Sequence, residues 1–113
     1  MIRAKARVDD DGLLLGFEAR GHAGFAPAGS DIVCAAFTVL ARTAYTALAG
    51  LSGVGIAGRA GAPGDLDFEV RSMPETARER AIGISSFLLE GIAGLAREFP
   101  AEIGLKLETQ RRE

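Results

Sequence analysis

The chain contains a single cysteine, Cys34, and a single histidine, His22. They stand twelve residues apart, where a glycine-rich stretch runs into an apolar helix pattern. A cysteine attacks as its thiolate, and a helix N-terminus favours that form because its first backbone N–H groups are unpartnered and partly positive. With Asp31 as N-cap, Cys34 falls at the third helical position. A neighbouring imidazolium would favour the thiolate further and then supply a proton to a leaving amine. Backbone N–H groups at the helix start would also suit a developing oxyanion. Two roles stay open for Asp31: a cap on the helix, or a carboxylate that orients His22 as the third member of a triad does.

Each residue also has a plainer reading. A lone cysteine in an apolar helix is most often a small buried hydrophobe, and a lone histidine in a loop most often lies on the surface. A zinc site is disfavoured, because one cysteine and one histidine supply two of the roughly four ligands that structural zinc takes. The loop has no Gly-Lys-Ser/Thr ending and is not a phosphate-binding loop. Gly21-His22-Ala23-Gly24 has the bare Gly-x-x-Gly spacing of an RNA clamp but lacks basic surroundings. Phe25 and Phe37 are candidates for an apolar substrate pocket, though both types more often fill a core.

The elements that must position this pair are legible from periodicity. Residues 2–9 alternate, with Ile2, Ala4, Ala6 and Val8 against Arg3, Lys5 and Arg7, the pattern of a half-buried strand. Asp9-Asp10-Asp11-Gly12 is turn chemistry, and 13–20 read as a second strand with Leu13, Leu15, Phe17 and Ala19 inward. Residues 21–31, rich in glycine, read as a loop. A helix follows from Ile32 to Leu48, apolar on most of its circumference, with a polar stripe through Thr38, Arg42, Tyr45 and Ala49. Residues 53–60 and 65–71 read as strands. A second helix spans Pro74 to Glu98, with Ile84, Leu88, Ile92 and Leu95 facing the core. A last strand covers 102–109, with Ile103, Leu105 and Leu107 inward. The expected fold is a two-layer α+β domain in the order ββαββαβ, with a mostly antiparallel sheet and two helices on one face.

At 113 residues the chain is expected to be one domain over 1–113. The net charge of -2 and the sequence pI near 5.4 argue against a nucleic-acid binder, so no direct nucleic-acid partner is expected. A single cysteine excludes an internal disulfide and fits a reducing compartment. The charged N-terminus is unlike a signal peptide, and no apolar run reaches the ~20 residues that cross a bilayer. The expected location is cytoplasmic, with no membrane partner, no metal and no cofactor.

The segment Gly21-His22-Ala23-Gly24-Phe25-Ala26-Pro27-Ala28-Gly29-Ser30-Asp31-Ile32-Val33-Cys34-Ala35-Ala36 closely resembles the signature of the ribosomal-processing cysteine proteases, the Prp family. That family carries Gly-His-x-Gly-Tyr/Phe-Ala, then a glycine, then Asp-Ile-Val-Cys-Ala-Ala. The resemblance implies removal of a short N-terminal extension from a bacterial large-subunit ribosomal protein precursor. It implies Cys34 as nucleophile, His22 as base, Asp31 beside the dyad, and Gly21, Gly24 and Gly29 as residues that let a loop close on substrate. It also implies a homodimer. The alternative is a non-catalytic module that binds a ribosomal protein or an assembly intermediate in the same groove.

Overall fold

Alternating side chains build most of the sheet. The computed structural model describes residues 1–21, 28–61 and 65–111, with 28–31 as backbone. The elements are β1 (Ile2–Asp9), β2 (Leu14–Arg20), α1 (Ala28–Ala49), β3 (Gly55–Ala60), β4 (Leu66–Ser72), α2 (Glu75–Glu98) and β5 (Ile103–Gln110). The order ββαββαβ and the two-layer α+β arrangement are as the sequence predicts. The sheet order is β3-β4-β2-β1-β5. Three pairings are antiparallel, and β5 joins the far side of β1 in parallel, so the sheet is mixed.

Ile2, Ala4, Ala6 and Val8 of β1 and Phe17 and Ala19 of β2 are buried with Leu66 and Phe68 of β4 beneath the helices. Phe17 stacks between Phe37 of α1 and Phe68, with centroids 6.2 and 5.6 Å apart. Phe37 is therefore core, 1% exposed, and lines none of the hollows found among the described residues. One register detail differs from the simple alternation. Arg7 pairs with Gly16 but Val8 pairs with Leu14, so Leu15 is the extra residue of a β-bulge. The bulge turns Leu14 inward in place of Leu15, which is only half-buried. At this irregularity the Leu14 N–H donates to Ser85 Oγ at 2.9 Å, and Ser85 donates to the Ala81 carbonyl at 2.7 Å. The apolar stripe of α2 thus contains a fully buried serine that satisfies the strand.

The helices also depart from the expected faces. On α2 the buried residues are Ala77, Ala81, Ser85, Leu88 and Ile92, while Ile84 and Leu95 are half-buried. On α1 Tyr45 belongs to the packed side, its ring 5.4 Å from that of Phe68. Ile32 and Val39 are 67% and 65% exposed, and Phe87 of α2 is 74% exposed. The first helix is therefore not covered around most of its circumference: an apolar strip between α1 and α2 faces outward. Leu107 is likewise exposed, because β5 is an edge strand that runs past the helical cover. By length and composition, Ile32–Ala49 is also long and apolar enough to cross a membrane, contrary to the sequence expectation. In this fold Val33, Phe37, Ala41, Ala44 and Leu48 use it to pack the core.

The β1–β2 turn is held by one buried carboxylate. Asp9 is 3% exposed. Its Oδ1 accepts the N–H groups of Asp11 and Leu13 at 2.9 and 3.0 Å, and its Oδ2 accepts Arg78 Nη2 at 2.5 Å. Arg78 also reaches Asp11 at 2.9 Å. The oxygens of Asp9, Asp10 and Asp11 lie close together, and the Arg78 guanidinium pairs with two of them, Asp9 and Asp11. Burial works to raise the Asp9 carboxyl, and the Arg78 hydrogen bond with the two N–H donors outweighs it, leaving Asp9 below its ordinary value of 3.8. A carboxylate lowered by folding stabilises the fold above its unfolded value and loses that contribution as pH falls through the folded one. Urea midpoints are expected to drop below about pH 4, more steeply in wild type than in Asp9→Asn. At neutral pH Asp9→Asn is expected to cost about 2 kcal/mol, because the half-buried Arg78 keeps only Asp11 as a charged partner. Equal acid sensitivity in both proteins would rule this role out.

Candidate active site

Cys34 lies on α1, on the same face as Phe37, Ala41 and Leu48. It is buried, with 7% of its surface exposed. Its backbone carbonyl accepts Thr38 Oγ1 at 2.7 Å. The helix begins at Ala28, four residues before the sequence reading. Cys34 is therefore its seventh residue, in the second turn. Gly29, Ser30 and Asp31 are helical, not loop, and Asp31 is not the N-cap.

This earlier start changes the electrostatics. The unpartnered N–H groups are the first four of the helix, so the Cys34 N–H belongs to the regular ladder and is not free for an oxyanion. The helix dipole acts mainly within the first turn. The helix start therefore does not provide the activation that the sequence reading expects of it. His22 and Gly24, with Phe25, lie outside the described residues.

The described residue nearest to His22 in the chain is Gly21, and its surroundings are specific. Gly21 has φ +105. Its N–H donates to Asp65 Oδ1 at 3.3 Å. A Cβ here would collide with the Met1 carbonyl oxygen, so this glycine is required by the packing and not only by loop motion. The preceding Arg20 makes a bidentate pair with Asp67 at 2.6 and 2.7 Å. Arg59 approaches Asp67 at 3.7 Å. The Arg20 hydrogen bond, helped by the charges of Arg20 and Arg59, holds the Asp67 carboxyl below its ordinary value against the opposing effect of burial. Arg42 of α1 reaches the Gly61 carbonyl at 3.4 Å. The end of β2, the β3–β4 connection and α1 are thus tied together around the point where the chain leaves for His22.

Together, Arg20, Arg59, Asp65 and Asp67 border a polar hollow of about 330 Å³ at this end of the sheet. None of the four stood out in the sequence as more than an outward-facing strand or turn residue. Asp67 is 47 residues from its partner Arg20, and Asp65 is 44 from its partner Gly21, so only the strand register brings them together. Gly21→Ala is expected to lose about 2 kcal/mol of stability, since alanine is strained at positive φ and clashes with Met1. Chemical denaturation reads this directly, and an unchanged midpoint would contradict it.

Among curated proteins none matches the chain. Solved structures do. The Streptococcus mutans protein SMU.848 is similar with a TM-score of 0.79 and 29% identity, over 97% of this chain and 96% of that one. The S. aureus ribosomal processing protease Prp, in complex with a covalently linked product peptide, is similar with a TM-score of 0.76 and 23% identity, over 96% of this chain and 100% of that one. The same protease with a substrate peptide gives 0.76 and 24%, with the same coverage. The family described as cysteine protease Prp matches residues 1–104. With that match running from the first strand into the last, the chain belongs to the cysteine protease Prp family.

Proposed function

We propose that this cysteine protease removes a short N-terminal extension from a bacterial large-subunit ribosomal protein, with Cys34 as nucleophile and His22 as general base and acid. The observation that carries the reading is simple: the family is one of cysteine proteases, and Cys34 is the chain's one cysteine. His22 takes the thiol proton, and the Cys34 sulfur attacks the scissile carbonyl. Collapse of the tetrahedral oxyanion breaks the C–N bond, and His22 passes its proton to the departing amine. Water then attacks the thioester, giving a proton to His22, and the thiol returns as the acid leaves. Asp31, no longer needed as a cap, is assigned to orienting His22. Gly24, with Gly21 and Gly29 flanking it, is assigned to admitting the substrate.

The substrate class is supported by the signature at 21–36 and by the S. aureus structures, whose protein is described as a ribosomal processing protease. A ribosomal protein is made and assembled in the bacterial cytoplasm, and the enzyme is placed there as one domain over 1–113. The homodimer is supported by the outward apolar groove between α1 and α2, about 570 Å³, bordered by Val39, Leu40, Ala47, Ile84 and Phe87. An exposed apolar strip of this kind suits a second copy of the chain.

The test is a pair of peptides. One spans the junction of extension and mature sequence in the host's large-subunit ribosomal protein; the other has the same composition in scrambled order. A single cut at the junction of the first alone is the expected result. Equal cutting of both, or of neither, would overturn the proposed substrate.

A further inference from the structure

The face of the sheet turned away from the helices carries a charge opposite to that of the whole chain. Strand alternation and register place Arg3, Lys5 and Arg7 of β1, Arg20 of β2, Arg59 of β3, Arg71 of β4 and Lys106 of β5 on it. The carboxylates on the same face are Glu18, Asp67, Glu69 and Glu108. Seven cations against four anions leave this face at +3, on a chain whose net charge is -2. The remaining surface is correspondingly acidic, so the net charge conceals a segregation.

The pairing within the face is also uneven. Asp67 is held by Arg20 and Arg59, and Glu108 lies 3.3 Å from Lys5 and 4.0 Å from Lys106. Arg3, Arg7 and Arg71 have no carboxylate within ion-pair distance among the described residues. Gly16 and Ala57 leave the centre of the face low. The Arg7 guanidinium lies against Gly16. The result is an open trough of about 510 Å³ whose charged border is four cations, Arg7, Arg59 and Arg71 among them, against the three carboxylates Glu18, Asp67 and Glu69. Alternate residues on a strand are about 6.6 Å apart, which places Arg3, Lys5 and Arg7 in a row comparable in pitch to successive phosphates of an extended strand.

We infer that this face docks the phosphate backbone of an RNA strand. The face has no exposed aromatic side chain on which bases would stack, so contacts go to phosphate and carry no sequence preference. Such a contact fits a partner that is polyanionic and extended, and it does not fit a basic protein. It lies across the sheet from α1, the helix that carries Cys34, and is independent of the peptidase reading. Docking here leaves the helical side free to work.

The experiment measures binding of a fluorescent single-stranded RNA to the full chain across salt concentrations. Three unpaired arginines predict a log–log slope of about -2, at roughly 0.7 per phosphate. Affinity is therefore expected to fall about fifteenfold between 50 and 200 mM salt. Replacing Arg3, Arg7 and Arg71 together by alanine is expected to weaken binding at least about tenfold and to flatten the slope, with thiol alkylation and peptide cleavage unchanged. Glu18→Gln with Glu69→Gln is expected to strengthen binding, a gain that misfolding cannot imitate. The inference is overturned if RNA does not bind at 50 mM salt, if the triple variant binds as wild type does, or if the face takes an acidic peptide and not RNA.

Discussion

Cys34→Ala is expected to abolish peptide cleavage, with a loss of at least about a thousandfold, while the protein remains folded. A nucleophile cannot be bypassed: without it no thioester forms, and what is left is binding alone. The structural cost is small by comparison. Cys34 is buried in the core cluster, and loss of its sulfur forfeits about 1 kcal/mol of packing. Its backbone carbonyl bond from Thr38 does not depend on the side chain. Circular dichroism and urea midpoints separate the two effects. Cys34→Ser is expected to fail nearly as completely, since a hydroxyl is far less readily ionised beside an imidazole. Cleavage by the alanine variant at a tenth of the wild-type rate or more would remove Cys34 from the reaction.

His22→Ala is expected to slow cleavage by about a hundredfold to ten-thousandfold, the usual worth of a positioned acid–base group. Its second effect is on the thiol. Because α1 starts at Ala28, Cys34 stands beyond the first turn, where the helix dipole is strongest. In the proposed mechanism the charge that favours the thiolate is assigned to the His22 imidazolium. Alkylation by iodoacetamide, followed against pH, is expected to continue into acid in wild type and to fall off near neutrality in the variant. A merely structural histidine would lower activity without moving that profile. Coincident profiles would remove His22 from thiol activation and leave some other group to be found.

Much of the frame was legible because half-buried strands and core helices impose periods that the chain obeys. Arg3, Lys5 and Arg7 against Ala4, Ala6 and Val8 define β1 without ambiguity. What periodicity cannot register is a slip in it. The extra residue opposite Arg7 and Val8 reverses Leu14 and Leu15, and the serine that answers it lies 71 residues away on α2. The sequence places the start of α1 four residues late because Gly29, Ser30 and Asp31 are poor helix formers, and local propensity yields to the fold. The parallel pairing of β5 with β1 depends on where α2 delivers the chain.

At the site, Cys34 and His22, the proposed nucleophile and base, stand out by their scarcity and by the signature around them. The residues that surround Gly21, where the chain leaves for His22, do not. Asp65, Arg20 and Asp67 are ordinary strand and turn residues until register makes Gly21 the neighbour of one and Arg20 the partner of another. The charge on the sheet's outer face is legible only in part: Arg3, Lys5 and Arg7 alternate along β1, but register alone adds Arg20, Arg59, Arg71 and Lys106 to them. Composition reports a sum, and the sum of -2 averages a basic face with an acidic remainder.

The most direct measurement is to capture the covalent intermediate. Wild-type protein is mixed with excess junction peptide, quenched in acid at short times, and digested with pepsin to locate any adduct by mass. The expected result is a thioester on Cys34 with the mass of the N-terminal product, lost on treatment with hydroxylamine and absent from Cys34→Ala. An adduct on any other residue, or continued cleavage by Cys34→Ala, would contradict the assignment.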